Sequence, residues 1–127
     1  LIYGDIGVGK TTFIKFLVNS LEKIDKKNIS EITSPTFSLM NQYKLNKFDI
    51  HHYDLYRLKS EKDILSLNIF EDISDKIVLI EWPEILGEHK PRNTIDINFE
   101  YGENFNSRYL TISAYEKLKI FDEFKSL

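Results

Sequence analysis

Hydrophobic residues near the start of the chain repeat every three or four positions, which is the period of an amphipathic helix. The repeat predicts a helix over residues 11–23. The residues predicted to face the core are Phe13, Ile14, Leu17, Val18 and Leu21, and those predicted to face outward are Lys15, Asn19 and Glu22. Residues 1–3, which are Leu-Ile-Tyr, are typical of the end of a buried strand.

The sequence of the middle of the chain predicts short strands, a turn and a short helix. Short strands are predicted at 29–32 and 38–43. Residues 46–49, Asn-Lys-Phe-Asp, match the N-K-x-D pattern with which GTP-binding switches read guanine. The D-x-x-G segment of those proteins occurs nowhere in this sequence, so we interpret residues 46–49 as a polar hairpin turn. Ser60 and Asp63 fit a capping box, which predicts that a short helix begins there.

A run of four aliphatic residues ends at Glu81, within the predicted strand 76–81. Such a run is typical of a central parallel strand that is buried on both faces. Because ligands bind at the carboxyl ends of strands in open α/β sheets, Glu81 is predicted to lie beside a bound ligand. Its carboxylate is a candidate for holding Mg²⁺ or for orienting a water molecule.

Strict alternation of apolar and polar residues at 95–101 predicts a strand with one exposed face. A turn at 102–107 and a second run at 108–113 predict an antiparallel hairpin. A final amphipathic helix is predicted from the spacing of Tyr115, Leu118, Phe121 and Phe124, and its aromatic face either packs on the sheet or docks a partner. The whole pattern predicts one α/β domain over residues 1–127, with a mainly parallel sheet flanked by helices and a C-terminal antiparallel hairpin.

A phosphate-binding loop pattern, G-x-x-x-x-G-K-[ST], begins at Gly4 between the first predicted strand and helix. Glycines allow backbone N–H groups to wrap around a phosphate. Lys10 would contact the β and γ phosphates, and Thr11 would offer its hydroxyl to Mg²⁺. The residues predicted to bind the nucleotide are Gly7, Val8, Gly9, Lys10, Thr11 and Thr12.

Residues 50–57, Ile-His-His-Tyr-Asp-Leu-Tyr-Arg, form a dense polar group around a predicted strand. His52 and Asp54 would share one face of that strand, so both are predicted to point toward the nucleotide, where Asp54 would help place water. They offer too few ligands for zinc, and the alternative is a solvated strand end. Residues 34–37, Ser-Pro-Thr-Phe, predict either a loop whose hydroxyls sense the γ-phosphate or a simple turn.

The composition and net charge of the chain exclude several kinds of protein function. The chain has 127 residues and no cysteine, which excludes disulfides and thiolate chemistry. No apolar run approaches the roughly 18 to 20 residues that span a bilayer, so we expect no membrane partner and a cytoplasmic location. The net charge of −3 predicts that any contact with RNA runs through a partner protein. Because the chain starts at Leu1 with a short strand, we expect that an N-terminal segment is missing.

These motifs make the chain resemble the TsaE family, the small P-loop ATPases of bacterial tRNA threonylcarbamoyladenosine biosynthesis. Four segments carry the resemblance, in the family's order and at similar spacing: Gly4-Asp5-Ile6-Gly7-Val8-Gly9-Lys10-Thr11-Thr12-Phe13, Ser34-Pro35-Thr36-Phe37, His52-Tyr53-Asp54-Leu55-Tyr56-Arg57 and Glu81-Trp82-Pro83-Glu84. The last three are more specific than the loop alone. Family members usually carry a strand or two before the loop, so adenine contacts from that region are not assigned.

The resemblance implies a Mg²⁺-dependent ATPase in which Thr11 and Glu81 hold the metal and in which Lys10, Asp54 and Glu81 are catalytic. It implies TsaD and TsaB as partners, which transfer a threonylcarbamoyl group to adenosine 37 of tRNA. The loop motif is also compatible with two other functions. A small-molecule P-loop kinase would need arginines to clamp phosphates under a lid, and the chain has three. A nucleotide-gated scaffold would need ATP binding but not hydrolysis.

Overall fold

The computed structural model describes residues 1–114, and the helix predicted from Tyr115 onward lies outside the described residues. The elements are β1 (Ile2–Tyr3), α1 (Lys10–Ile24), β2 (Met40–Lys44), β3 (Asp49–Asp54), α2 (Glu61–Ser66), β4 (Lys76–Glu81), a 3₁₀ helix (Pro83–His89), β5 (Ile95–Tyr101) and β6 (Arg108–Ala114). Ser60 caps α2 as predicted, because its hydroxyl accepts a hydrogen bond from the Asp63 N–H at 3.2 Å.

The strands form one six-stranded sheet in the order β2-β3-β4-β1-β5-β6. The four central strands run parallel to one another, whereas β2 and β6 pair antiparallel at the two edges. The predicted mainly parallel sheet and the C-terminal hairpin are therefore confirmed. The predicted hairpin turn at residues 46–49 is also confirmed, since it joins the antiparallel strands β2 and β3.

The strand predicted at residues 29–32 is wrong, because these residues form no strand. They belong to the connection between α1 and β2, and β2 is already the edge of the sheet. Ile32 is nevertheless buried, with 7% of its surface exposed. Ile29, by contrast, is 55% exposed. One buried isoleucine in a connecting segment does not require a strand partner.

Helices cover both faces of the sheet. Ile14 and Val18 of α1 pack with Ile50 of β3 in one core, and Ile64 of α2 packs with Ile80 of β4 in a second core on the opposite face. The aliphatic run of β4 contributes to both cores, as its central position predicts. In residues 1–114, no helix combines the length and the apolar character that crossing a membrane would require.

Glu22 was predicted to face outward, and this is wrong, because only 3% of its surface is exposed. The loop after α1 folds back over the helix, so that the Ser30 N–H donates to one Glu22 oxygen at 3.1 Å and the Ser30 hydroxyl donates to the other. Both oxygens therefore have protein partners, which offset the cost of burying the carboxylate.

Candidate functional site

The loop between β1 and α1 lines an open cavity. Gly7 and Gly9 have φ angles of 76° and 117°, a region that glycine adopts without steric strain. Gly9 directly precedes α1, and no side chain in the described part of the chain caps this helix. The first N–H groups of an uncapped helix are free to bind an anion, and the helix dipole favours negative charge there. The loop therefore has the geometry of a phosphate site.

A cavity of about 260 Å³ opens where this loop meets the ends of β3 and β4. It is lined by Ile6, Gly7, Gly9, Lys10, Thr11, Thr12, Ser34, Thr36, Asp54, Tyr56, Glu81 and Trp82. The structure thus brings together nearly all of the residues predicted from the sequence to bind the nucleotide, to hold the metal or to act in catalysis. Their roles in binding and catalysis stay predictions.

Val8 is the predicted site residue that does not line this cavity. Its side chain is buried, its N–H donates to the Asp5 carbonyl at 3.2 Å, and its carbonyl accepts from the Arg108 Nε at 3.1 Å. Val8 therefore stabilises the conformation of the loop without lining the cavity.

Lys10 is the cation of the cavity. Its ammonium donates to the backbone carbonyls of Gly4 and Asp5, and it lies 3.8 Å from the centroid of the Trp82 ring. Burial lowers the pKa of Lys10, and the negative charge of Glu81 partly opposes that effect. Since its close partners are carbonyls and a ring, the ammonium is poorly neutralised, and a phosphate would be a stronger partner.

Glu81 lies at the carboxyl end of β4, where the sequence predicts it. One of its oxygens accepts a hydrogen bond from the Thr11 hydroxyl at 3.0 Å, and the other lies 2.7 Å from the His52 Nε2. His52 and Glu81 are both buried, and within residues 1–114 the His52 Nδ1 has no hydrogen-bond partner. His52 therefore contacts the site through Glu81, whereas the sequence predicts that it points toward the nucleotide.

Asp54 is the second carboxylate of the cavity. Its Oδ2 accepts from the Ser34 hydroxyl at 2.7 Å and from the Thr36 hydroxyl at 3.1 Å, and its Oδ1 accepts from the Tyr56 N–H at 3.0 Å. The predicted Ser-Pro-Thr-Phe loop is thereby held against the end of β3. Asp54 lies beside Glu81, because the two are paired residues of the neighbouring strands β3 and β4.

The oxygen atoms beside Lys10 fit Mg²⁺. Mg²⁺ is bound through hard oxygen ligands, usually one or two carboxylates or hydroxyls together with substrate phosphates and water. Thr11 and Glu81 supply such a hydroxyl and carboxylate in contact with each other. In residues 1–114, no group of three or more His, Cys, Asp or Glu side chains is arranged to hold a metal. The Thr11 and Glu81 oxygens therefore suit a metal ion that binds together with phosphates, and not one that is held by protein ligands alone.

Sequence reasoning missed three residues that line the cavity. Ile6 lies inside the loop, Tyr56 follows Asp54 by two positions, and Trp82 follows Glu81 directly. Their closeness to predicted site residues is the signal that could have found them.

Comparison with known proteins identifies the family. A family model described as threonylcarbamoyl adenosine biosynthesis protein TsaE matches residues 1–110. The chain belongs to the TsaE family. The tRNA threonylcarbamoyladenosine biosynthesis proteins TsaE of Rickettsia conorii and Rickettsia prowazekii are each 38% identical to it, over 92% and 88% of this chain. The chain spans 64% of the first relative's length and 74% of the second's.

A solved structure has a fold similar to the one described above. The crystal structure of Bacillus subtilis YdiB superposes with a TM-score of 0.67 over 98% of this chain and 74% of that chain, at 23% sequence identity. This likeness confirms the predicted α/β fold, with its mainly parallel sheet flanked by helices and its C-terminal antiparallel hairpin. The family match confirms the resemblance carried by the four sequence motifs.

Proposed function

We propose that this TsaE-family chain is a Mg²⁺-dependent ATPase that supports the threonylcarbamoyladenosine modification of tRNA together with TsaD and TsaB. The observation that carries the proposal is the 3.0 Å contact between the Thr11 hydroxyl and the Glu81 carboxylate, beside Lys10 and an uncapped helix. Hydroxyl, carboxylate, ammonium and free N–H groups are the components with which P-loop enzymes hold a metal triphosphate.

Each charged group has a separate role in this proposal. The loop N–H groups and Lys10 hold the phosphates, and Thr11 and Glu81 hold Mg²⁺, which neutralises charge as the terminal phosphate leaves. Asp54 helps to place the attacking water, because it lines the same cavity and accepts hydrogen bonds from the adjacent loop. Catalysis by such a site is mainly positioning and electrostatic stabilisation.

The proposed partners are supported by the family and by the net charge of this chain. The relatives carry a tRNA modification name, and the net charge of this chain is −3. An acidic protein is poorly suited to bind the tRNA backbone by itself. We therefore propose that TsaD and TsaB contact the tRNA, that this chain acts on ATP within their complex, and that the complex works in the cytoplasm.

The test is a measurement of phosphate release from ATP, with and without TsaB and TsaD, for the parent protein and two variants. Lys10→Ala should abolish Mg²⁺-dependent release. Lys15→Ala removes an exposed lysine of the same helix and should leave release unchanged. Equal release by the parent protein and Lys10→Ala would disprove the proposed ATPase site.

A further inference from the structure

Two side chains of the β5–β6 hairpin bind the backbone of the phosphate loop. The Tyr101 hydroxyl donates to the Ile6 carbonyl at 3.3 Å, and the Arg108 Nε donates to the Val8 carbonyl at 3.1 Å. The bonded residues are 95 and 100 positions apart in the sequence. None of the described residues that line the phosphate cavity belongs to the hairpin, and the function proposed above gives neither side chain a role.

The two bonded carbonyls precede Gly7 and Gly9 directly. A peptide group is planar and trans, so its C=O and its N–H point in opposite directions. The Ile6 carbonyl shares a peptide group with the Gly7 N–H. The Val8 carbonyl shares one with the Gly9 N–H in the same way. Each hydrogen bond from the hairpin therefore turns a carbonyl toward the hairpin and the following N–H away from it.

Gly7 and Gly9 both line the phosphate cavity. Backbone N–H groups bind an anion when they point at it together. We propose that Tyr101 and Arg108 are positioning residues for the phosphate loop. By holding the preceding carbonyls, they aim the N–H groups of Gly7 and Gly9 at a bound phosphate. This inference rests on the proposed function, because it concerns the phosphates of the same nucleotide.

The loop needs support from outside because its glycines do not restrict the backbone. Glycine adopts positive and negative φ angles about equally readily, so an unsupported loop would sample many conformations. Inside the loop, the Val8 N–H donates to the Asp5 carbonyl at 3.2 Å, which closes a turn. The hairpin supplies the bonds to the Ile6 and Val8 carbonyls. A loop held in this way loses less conformational freedom when a phosphate binds.

The two hairpin side chains are themselves held in place. Tyr101 and Arg108 are paired residues of β5 and β6, and the guanidinium lies 4.3 Å from the centroid of the tyrosine ring. The Arg108 Nη1 also donates to two backbone carbonyls in the turn between these strands. The start of the loop packs directly on β5, since a Cβ at Gly4 would lie 2.9 Å from the Phe99 carbonyl oxygen. The hairpin is therefore a fixed support for the loop.

The test compares ATP with inorganic tripolyphosphate by titration calorimetry in the presence of Mg²⁺. Tyr101→Phe removes one hydroxyl, and Arg108→Met removes the donors but keeps an unbranched side chain. The double variant should weaken both ligands by the same factor, about 10-fold or more, because the weakened contacts are those with phosphate. Tyr109→Phe and Arg92→Met are the matched controls and should bind as the parent protein does. They remove the same groups from exposed side chains that do not line the phosphate cavity.

A second measurement follows single residues of the loop. The chain has five glycines, so ¹⁵N-glycine labelling gives a simple spectrum of backbone amides. Saturating tripolyphosphate should shift the signals of Gly7 and Gly9 in the parent protein. Tyr101→Phe should reduce the shift of Gly7, and Arg108→Met should reduce that of Gly9. Gly87, which lies in the 3₁₀ helix, should not respond in any of these proteins.

Tyr101→Phe keeps the ring and its packing, so the test does not depend on the larger change at Arg108. The positioning role is disproved if the double variant binds tripolyphosphate as tightly as the parent protein, or if only ATP weakens. Equal changes at Gly7, Gly9 and Gly87 in both single variants would also overturn it, because a merely structural role predicts that result. Lys10→Ala should weaken both ligands, and its failure to do so would overturn the proposed function itself.

Discussion

Two buried glutamates of this chain, Glu22 and Glu81, have almost the same exposure, 3% and 2%, but different surroundings. Both oxygens of Glu22 bind one residue of a neighbouring loop, Ser30. The oxygens of Glu81 contact Thr11 and His52, and the side chain also lines an open cavity. Burial of a carboxylate therefore does not identify a functional site. What distinguishes Glu81 is that a ligand entering the cavity can replace one of its partners.

The two sites also differ in what they connect. Glu22 is eight residues from Ser30, so it closes a local loop. Glu81 is 70 residues from Thr11 and 29 residues from His52, and it joins β4 to α1 and to β3. We therefore expect changes at Glu22 to affect the stability of one loop, whereas changes at Glu81 should affect the cavity where three elements meet.

The largest expected effect comes from making the same substitution at both glutamates. Glu81→Ala should reduce Mg²⁺-dependent phosphate release by about 100-fold or more, since it removes charge that the proposed metal site uses. Glu22→Ala should leave release unchanged at temperatures where the protein is folded, while lowering the unfolding temperature. Phosphate release and thermal unfolding, measured on both variants, check this. A loss of release in Glu22→Ala equal to that in Glu81→Ala would remove the distinction between the two sites.

A smaller effect is expected at His52, which we infer to be a positioning residue for Glu81. His52→Leu should raise the Mg²⁺ concentration needed for ATP binding and lower phosphate release, each by about 10- to 100-fold, as other outer partners of metal ligands do. His52→Gln should restore much of both, because its amide N–H can replace the ring nitrogen. Calorimetric titration at several Mg²⁺ concentrations measures the effect. If Leu and Gln behave alike, His52 is only a packing residue.

Ser30→Ala tests the Glu22 site from its other side. It removes the hydroxyl partner of a buried carboxylate and should cost about 1–3 kcal/mol of unfolding free energy. Phosphate release should not change. Ser66→Ala, at an exposed serine of α2, serves as the control and should cost less than about 0.5 kcal/mol in the same denaturant titration. A cost for Ser30→Ala no greater than that for Ser66→Ala would show that Glu22 is buried without needing Ser30.

The smallest expected effect concerns the pH dependence of ATP affinity. It arises because the negative charge of Glu81 acts on the Lys10 ammonium. Burial lowers the pKa of Lys10 in the nucleotide-free protein, and bound phosphates would raise it. Binding therefore takes up a proton, and ATP affinity should fall as pH rises through the lowered pKa. Glu81→Gln removes a charge that raises the pKa of Lys10, so the fall should begin at a lower pH. Titration calorimetry of ATP binding from neutral to alkaline pH measures this shift, and Glu22→Gln should show none. Identical pH profiles for Glu81→Gln and Glu22→Gln would contradict the interaction between Glu81 and Lys10.

Much of the fold could be predicted because hydrophobic periodicity records burial. The period of α1, the aliphatic run of β4 and the alternation of β5 each give the correct element. The outward orientation of Glu22 was predicted wrongly, because a local pattern does not reveal that a loop supplies a hydrogen-bond partner for a polar residue. The strand at 29–32 was predicted wrongly for a related reason, since two isoleucines in a short segment do not show whether a strand partner exists.

The site residues that belong to short continuous sequence motifs could be predicted. The loop motif and the acid ending β4 predict the meeting of Lys10, Thr11 and Glu81, which the structure shows around one cavity. The contact of His52 with Glu81 depends on the register between β3 and β4, which no local motif specifies.

Trp82 gives this protein an intrinsic optical reporter. It is the only tryptophan among the 127 residues, and the Lys10 ammonium lies over its indole ring. A phosphate that draws the ammonium away would change the electric field at the indole and hence its emission. Occupancy of the loop can then be followed in unlabelled protein and in real time through the emission of this tryptophan.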